Sequence, residues 1–175
     1  MARTKSSLRL KKTLGRKTSF KPIEAEDVSY AWAAYRGGSL DEIFESDLTA
    51  AEFKSAFEQF VTRRFDGAWT LSAETTKGFI PVGIALGFWP HQEAMQFMVM
   101  DSFEWFPWAS PRNKIESAVR FLHLVREEVP MIGFVRPEDK DYVAMIARHG
   151  ILNRVGTSYN IFPGERASIW ETRNG

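Results

Sequence analysis

The 175-residue chain contains no cysteine, only three histidines and no apolar run long enough to cross a membrane. Without thiols the chain has no disulfide framework, no thiolate metal site and no cysteine nucleophile, which argues against a disulfide-bonded secreted domain. A membrane-spanning helix needs about 18 apolar residues in succession, and the amino terminus carries no hydrophobic leader segment. Because His91, His123 and His149 are far apart in the sequence, we expect no metal site. These absences predict a soluble protein of a reducing compartment, the cytoplasm.

Positive charge is concentrated at the amino terminus, although the whole chain carries a formal net charge of only +1. Residues 1–20 contain seven Lys and Arg residues and no acidic residue, which leaves 16 basic and 22 acidic residues in the remainder. Residues 1–19 have too little apolar surface to fold alone, so they predict a flexible basic arm ahead of a single domain over residues 20–175. Such an arm is either a solvated terminus or a segment that binds nucleic acid or an acidic partner protein. Its contact residues would be Arg3, Lys5, Arg9, Lys11, Lys12, Arg16 and Lys17.

The first half of the domain reads as a short strand followed by helices. Phe20–Ile23 is the predicted strand, and an acidic turn after it begins a helix that ends at Gly37. A second helical zone, with one break, is predicted over Ser39–Phe65. Within it, Thr49 followed three residues later by Glu52 is a capping box, which predicts a helix start.

Strand patterns take over in the middle of the chain. Trp69–Ala73 alternates between apolar and polar residues, and a turn at Thr75–Gly78 follows it. Val82–Trp89 is a nearly continuous apolar run, which predicts a central strand covered on both faces. After a turn at Pro90–Glu93, the segment Ala94–Asp101 is predicted to return as an antiparallel strand.

An aromatic elbow over residues 103–111 leads into the next helix. Ser110 is the predicted N-cap of this helix and Pro111 its first residue, where the missing N–H costs nothing. The apolar periodicity predicts that Leu124 in this helix and Met145 in the following helix face the core. The remaining predicted elements are a strand at Met131–Val135, a helix at Glu138–His149 closed by Gly150, and a hairpin of residues 153–162 and 166–172 that turns at Pro163-Gly164.

This order of elements predicts a layered α/β fold, with a mixed, mostly antiparallel central sheet flanked by helices and a C-terminal β-hairpin. The order, together with the stretch His149–Gly156 ahead of the hairpin, resembles the GNAT superfamily of N-acetyltransferases. The resemblance covers residues 20–172 and depends on the order of elements more than on identical residues. It implies N-acetyl transfer with acetyl-CoA as the cofactor.

The resemblance also implies a place for the coenzyme A pyrophosphate, where the fourth strand turns into the third long helix in a loop of pattern Q/R-x-x-G-x-G/A. Glycines let the backbone approach the phosphates, and the helix N-terminus supplies unpaired N–H donors. This chain has no glycine between Gly87 and Gly133, its two elbow prolines lack N–H groups, and Glu104 would repel an anion. We therefore expect no cofactor unless the chain is an enzyme. In that case acetyl-CoA would be held by Ser110, Arg112, Asn113 and Lys114.

Two catalytic roles are implied by the same resemblance. The first is a tyrosine that protonates the departing thiolate, four residues before the glycine that ends the last helix. Counting back from that glycine gives Ile146, which cannot donate a proton, so Tyr142 one turn earlier is the substitute and Tyr159 the alternative. The second is a general base near the end of the fourth strand, because the acceptor amine must be neutral to attack. Asp101 and Glu104 are the candidates.

The sequence leaves two functions open. Clustered aromatic residues in a loop are costly to expose and often form interfaces, so Trp105, Phe106 and Trp108 either dock on a partner or pack inside their own fold. The elbow and the closing hairpin resemble small GNAT-like internal virion proteins of tailed phages. The first hypothesis is therefore a phage-type accessory or virion-associated structural protein, in the host cytoplasm or the virion, that docks on a larger assembly without efficient acetyltransferase activity. The alternative is an acyl-CoA-dependent N-acetyltransferase in which Arg112 and Lys114 hold the phosphates.

Overall fold

The computed structural model describes residues 18–63, 67–88 and 97–172, which form seven strands and four α-helices. The strands are β1 (Thr18–Pro22), β2 (Ala68–Thr75), β3 (Gly78–Phe88), β4 (Met98–Trp105), β5 (Met131–Val135), β6 (Leu152–Ser158) and β7 (Ala167–Thr172). The helices are α1 (Val28–Arg36), α2 (Ala50–Arg63), α3 (Pro111–Val125) and α4 (Lys140–Ala147). Short 3₁₀ turns at Ala25–Asp27 and Pro137–Asp139 lead into α1 and α4. No helix in these three ranges is long and apolar enough to cross a membrane.

All seven strands belong to one sheet in the order β1-β2-β3-β4-β5-β7-β6. Every neighbouring pair is antiparallel except β4 and β5, which run parallel. The β6–β7 hairpin forms one edge of the sheet and β1 the other. The predicted layered α/β fold, with a mostly antiparallel sheet and a C-terminal hairpin, is therefore confirmed.

The sheet carries a separate apolar core on each face. One core contains Phe121 of α3 and Ile146 of α4, and the other contains Phe53 of α2 together with α1 residues. β3 contributes to both, since Ala85 belongs to the first core and Ile84 to the second. Burial on both faces explains why the sequence of β3 is a nearly continuous apolar run.

The segment before α2 is not helical, contrary to the predicted helical zone over Ser39–Phe65. Leu40 (φ 72°) and Asp47 (φ 64°) both adopt left-handed backbone conformations, which a right-handed helix cannot include. The helix starts at Ala50, and the predicted capping box is confirmed in front of it. The Thr49 N–H donates to the Glu52 carboxylate at 2.8 Å, and the Glu52 N–H donates to the Thr49 hydroxyl at 3.3 Å.

Several predicted boundaries move when the strands pair. β1 begins at Thr18 rather than Phe20, because Thr18 already pairs with Ala73 of β2. β4 extends to Trp105, so the first three residues of the predicted elbow belong to the strand. The predicted turn at Pro90–Glu93, the start of the predicted strand at Ala94 and the arm up to residue 17 lie outside the described residues.

Two predicted core residues are on the surface. Leu124 of α3 is 36% exposed and Met145 of α4 is 47% exposed, because each lies at the margin of its helix's apolar face. The final hairpin also has a longer loop than predicted, since β6 ends at Ser158 and β7 starts at Ala167. Gly164 (φ 75°) within that loop adopts the left-handed conformation that favours glycine.

Candidate functional site

The parallel strands β4 and β5 pair over only three positions and then separate. The last shared pair joins Met100 to Gly133. Beyond it, β4 continues to Trp105 paired with β3 alone, and β5 continues to Val135 paired with β7 alone. The facing backbone edges of β4 and β5 are therefore without a strand partner at their carboxyl ends.

A β-bulge at Asp101 accounts for this separation. Leu86 of β3 pairs with Ser102 and the next residue, Gly87, pairs with Met100, so Asp101 is the extra residue of β4. A bulge bends its strand and increases the local twist, and this bulge directly follows the last pair that β4 shares with β5. The consequence is a cleft in the middle of the sheet.

A cavity of about 580 Å³ occupies this cleft and extends between α3 and α4. This volume falls within the range of about 300–1,000 Å³ that is usual for small-molecule sites. Apolar walls come from all four elements, among them Met100, Leu122, Phe134 and Ile146. The charged and phenolic side chains that line it are Glu42, Asp101, Glu104, Lys114, Arg136, Asp139 and Tyr142.

The cavity brings together the three residues that the sequence nominated for catalysis, namely Asp101, Glu104 and Tyr142. Lys114, one of the nominated cofactor contacts, lines it as well. Ser110, Arg112 and Asn113 do not line the cavity; they form the first turn of α3 beside it. In the described part of the chain, no group of three or more acidic or histidine side chains could hold a metal ion.

The shortened elbow, residues 106–110, is packed against its own fold. Phe106 is only 2% exposed and belongs to the core under α1 and α2, which corrects its prediction as a docking residue. Trp105 stacks on Phe103 with ring centroids 5.6 Å apart, and both rings line the cavity. Trp108 is 39% exposed, but its indole N–H donates to the backbone oxygen of Pro81 at 2.8 Å. The elbow therefore packs mainly against its own domain.

Two N–H donors in the first turn of α3 are used internally. Ser110 is confirmed as the N-cap, since its hydroxyl accepts the N–H of Asn113 at 3.1 Å. The N–H of Lys114 donates to the Ser110 carbonyl at 3.0 Å, and Pro111 has no N–H to offer. The Arg112 guanidinium forms an ion pair with Glu116 at 2.7 Å on the exposed side of the helix.

No protein-family model and no curated protein matches the chain. Solved structures do match it. A spermidine N-acetyltransferase chimera that includes the Vibrio cholerae enzyme superposes with a TM-score of 0.63 at 8% identity, covering 89% of this chain and 94% of that one. An aminoglycoside N-acetyltransferase gives 0.61 at 13% identity over 89% and 96%, and a probable GNAT acetyltransferase from Chromobacterium violaceum gives 0.64 at 13% over 90% and 87%.

The chain has the GNAT fold. Identities this low show the fold alone, and they confirm the GNAT resemblance that the order of elements predicted. The likeness to phage virion proteins receives no support, because these neighbours are all acetyltransferases.

On this GNAT scaffold Glu104 is a carboxyl group in a partly apolar setting. Burial raises its pKa above the usual value, and the neighbouring carboxylates of Glu42, Asp101 and Asp41 raise it further. A hydrogen bond from Ser102 opposes the rise. A carboxyl group with a raised pKa is a stronger proton acceptor once ionised, which is the property a general base needs near neutral pH.

Tyr142 of α4 lines the same cavity as Glu104. Its ring meets the Trp105 ring edge-on with centroids 6.3 Å apart, and its hydroxyl donates to the backbone oxygen of Lys114 at 3.4 Å. Burial raises the pKa of the Tyr142 phenol far above its usual value. The phenol therefore remains protonated throughout the neutral range, so it can donate a hydrogen bond or a proton but cannot act as a base.

Three charged cavity residues were not nominated from the sequence. Arg136 directly follows β5 and Asp139 ends the 3₁₀ turn after it, and burial raises the pKa of Asp139. Their position was a usable signal, because ligands in α/β folds commonly bind beyond the carboxyl ends of strands. Glu42 gave no such signal, since it lies in the segment that was predicted to be helical and reaches the cavity only through the folded path of that loop.

Proposed function

We propose that the chain is an acyl-CoA-dependent N-acyltransferase whose reaction centre is the cavity between β4 and β5. One observation carries the proposal: on a GNAT scaffold, the cavity at the parted strands holds both the Glu104 carboxyl group, whose pKa is raised, and the Tyr142 phenol of α4, which is protonated at neutral pH. An acid and a base with separated pKa values are what acyl transfer to an amine requires.

The residues divide the proton transfers between them. Glu104 accepts the proton that the acceptor ammonium must lose, so that the nitrogen lone pair is free to attack the thioester carbonyl carbon. As the carbon–nitrogen bond forms and the carbon–sulfur bond breaks, Tyr142 supplies a proton to the sulfur, and the phenolate regains a proton from the nitrogen that has attacked. Asp101 adds negative charge beside Glu104 and thereby favours a cationic acceptor. When bound, the acyl-CoA supplies the activated acyl group.

The unpaired edges of β4 and β5 fit the pantetheine part of an acyl-CoA donor. Pantetheine is an extended chain with two amides, and the unpaired edge of β4 offers backbone N–H and C=O groups at strand spacing. The apolar walls would keep water away from the thioester. The residues present therefore fit the thioester and pantetheine part of the donor.

A cationic amine fits the acceptor end. The cavity is lined by four carboxyl groups and only two cations, a balance that favours a positively charged ligand. The carboxyl groups are those of Glu42, Asp101, Glu104 and Asp139, and the cations are Lys114 and Arg136. Two of the structural neighbours are named for polycationic acceptors, spermidine and aminoglycosides. We therefore include polyamines in the acceptor class.

The test is release of free thiol from acetyl-CoA in the presence of a panel of amines, with product mass as confirmation. Wild-type protein is expected to acetylate at least one cationic amine, and Glu104→Gln is expected to reduce kcat by about 100-fold or more at neutral pH. Glu165→Gln, on the exposed final hairpin loop, is the matched control and should keep full activity. Absence of transfer to every amine, together with no calorimetric signal for acetyl-CoA, would refute the proposal.

A further inference from the structure

Taking acyl transfer as proposed above, we infer that the chain recognises its donor through the pantetheine thioester and makes no specific grip on the pyrophosphate. An acyl-pantetheine is then a sufficient donor, whether it is free, part of acyl-CoA or attached to a carrier protein as a phosphopantetheine arm. The elbow and the cleft, which would contact the two halves of acyl-CoA, provide separate observations that point to this division.

The N–H donors of the elbow cannot form a phosphate cradle. Such cradles present successive backbone N–H groups to one anion. Over the elbow and the first turn of α3, residues 106–114, two prolines have no N–H, and four of the remaining N–H groups already donate hydrogen bonds within the protein. These four are Phe106 to the Val82 oxygen at 2.9 Å, Ala109 to the Phe106 oxygen at 2.9 Å, Asn113 to the Ser110 hydroxyl at 3.1 Å and Lys114 to the Ser110 oxygen at 3.0 Å.

The donors left over in this stretch of the described chain are those of Trp108, Ser110 and Arg112. They occupy alternate positions, so no two adjacent N–H groups are available to converge on a phosphate. Of the two cations in this stretch, Arg112 already pairs with the Glu116 carboxylate at 2.7 Å, and Lys114 lines the cavity between β4 and β5. The Glu116 side chain is only 16% exposed and stays beside Arg112, whereas a phosphate would have to bind an Arg112 side chain that is 71% exposed, where ion pairs contribute little.

The elbow is also too tightly packed to rearrange without a loss of core contacts. The Pro107 ring packs so tightly on Gly37 that a Cβ at position 37 would lie 2.6 Å from the Pro107 Cγ. Phe106 is buried, and its ring packs against Trp108 with centroids 5.2 Å apart. Opening this loop to admit a pyrophosphate would expose core aromatic surface, which costs free energy in proportion to the apolar area involved.

The cleft, in contrast, has an unpaired strand edge to which the amides of a pantetheine arm can hydrogen-bond. The β4 edge is open from Asp101 to Glu104, while the carbonyl of Trp105 already accepts the Ser39 hydroxyl at 3.0 Å. That open edge leads directly to Glu104 and Tyr142, which line the same cavity. Donor recognition is therefore concentrated next to the reacting thioester.

The experiment compares kcat/KM for acetyl-CoA and S-acetyl-pantetheine with a polyamine acceptor. We expect the two values to agree within about tenfold. A loop that made two charge-assisted hydrogen bonds to phosphate would give acetyl-CoA a preference on the order of 100-fold or more, and such a preference would overturn the inference. A GNAT acetyltransferase with the glycine-containing loop serves as the reference enzyme.

Calorimetry supplies a readout that does not depend on turnover. Pantetheine is expected to bind, and adenosine 3′,5′-bisphosphate, the phosphate half of coenzyme A, is expected to give no signal at the same concentration. The reverse pattern contradicts the inference and leaves the proposed acyltransferase activity standing. Transfer from none of the donors refutes the proposed function itself.

A third donor, acetylated holo acyl carrier protein, distinguishes the sources of the thioester. Saturable transfer that is faster than from S-acetyl-pantetheine assigns the carrier protein as the source. Equal or slower transfer assigns a free thioester. Both results agree with recognition through pantetheine, whereas activity with acetyl-CoA alone contradicts it.

Discussion

Replacing Tyr142 with phenylalanine should separate catalysis from stability. The Tyr142 hydroxyl donates a hydrogen bond of 3.4 Å to the Lys114 backbone oxygen and also hydrogen-bonds the Trp105 side chain, so its loss should cost about 1–3 kcal/mol of unfolding free energy. The phenylalanine ring keeps the edge-on contact with Trp105. Because the hydroxyl is the proposed proton donor to the leaving sulfur, kcat should nevertheless fall by about 100-fold or more.

The assay is thiol release from acetyl-CoA under saturating donor and amine, paired with thermal melting of the same samples. Tyr159→Phe is the matched control, since Tyr159 is 65% exposed in the final hairpin loop and was the alternative acid from the sequence. Its activity and melting temperature should both be unchanged. If Tyr142→Phe retains activity within about threefold of wild type, or if Tyr159→Phe is the variant that loses it, the assignment of Tyr142 is refuted.

Three further predictions concern the base, the elbow and the arm. The Glu104 pKa is raised and only the ionised carboxylate accepts a proton, so kcat/KM should rise with pH through that raised pKa. Glu104→Gln should remove this rise of kcat/KM with pH, and an unchanged pH profile in the variant contradicts the role of Glu104. In denaturant unfolding, Phe106→Ala should lower the free energy of unfolding by about 3–5 kcal/mol, whereas the control Phe79→Ala, at a position 49% exposed, should lower it by less than about 0.5 kcal/mol. Similar losses in the two variants would mean that the elbow is not part of the core. Deleting residues 2–17, which leaves Thr18 to pair in β1, should preserve the melting temperature and abolish any salt-sensitive DNA binding. DNA binding that persists after the deletion would exclude the arm as the binding segment.

The fold was accessible from the sequence because its local signals agree with its tertiary structure. Thr49 and Ser110 cap the helices that follow them, and the apolar run of β3 is buried on both faces as its pattern indicates. The segment from Ser39 to Asp47 was misread, because non-glycine residues there adopt left-handed conformations that only the surrounding contacts impose. Helical propensity gave no warning of those turns.

The candidate site could be predicted only in part from the sequence, because part of it depends on tertiary structure. Tyr142 and Glu104 could be nominated by position in the order of elements, and the structure places both in one cavity. The bulge at Asp101, which opens that cavity, depends on the register between β3 and β4 and leaves no mark in the sequence of β4 alone. The aromatic elbow has two readings in sequence, and only the buried position of Phe106 decides between docking surface and core.

Calorimetry with acetyl-CoA on wild-type protein and on Gly133→Leu tests the central claim most directly. Gly133 lines the cavity at the last β4–β5 pair, and a Cβ there would meet nothing closer than 3.9 Å, so a side chain can be attached at this position without a clash at Cβ, and we expect leucine to occupy the cleft. The two proteins should melt at similar temperatures, and only the wild type should bind acetyl-CoA. Equal binding by both proteins would contradict a donor site between β4 and β5.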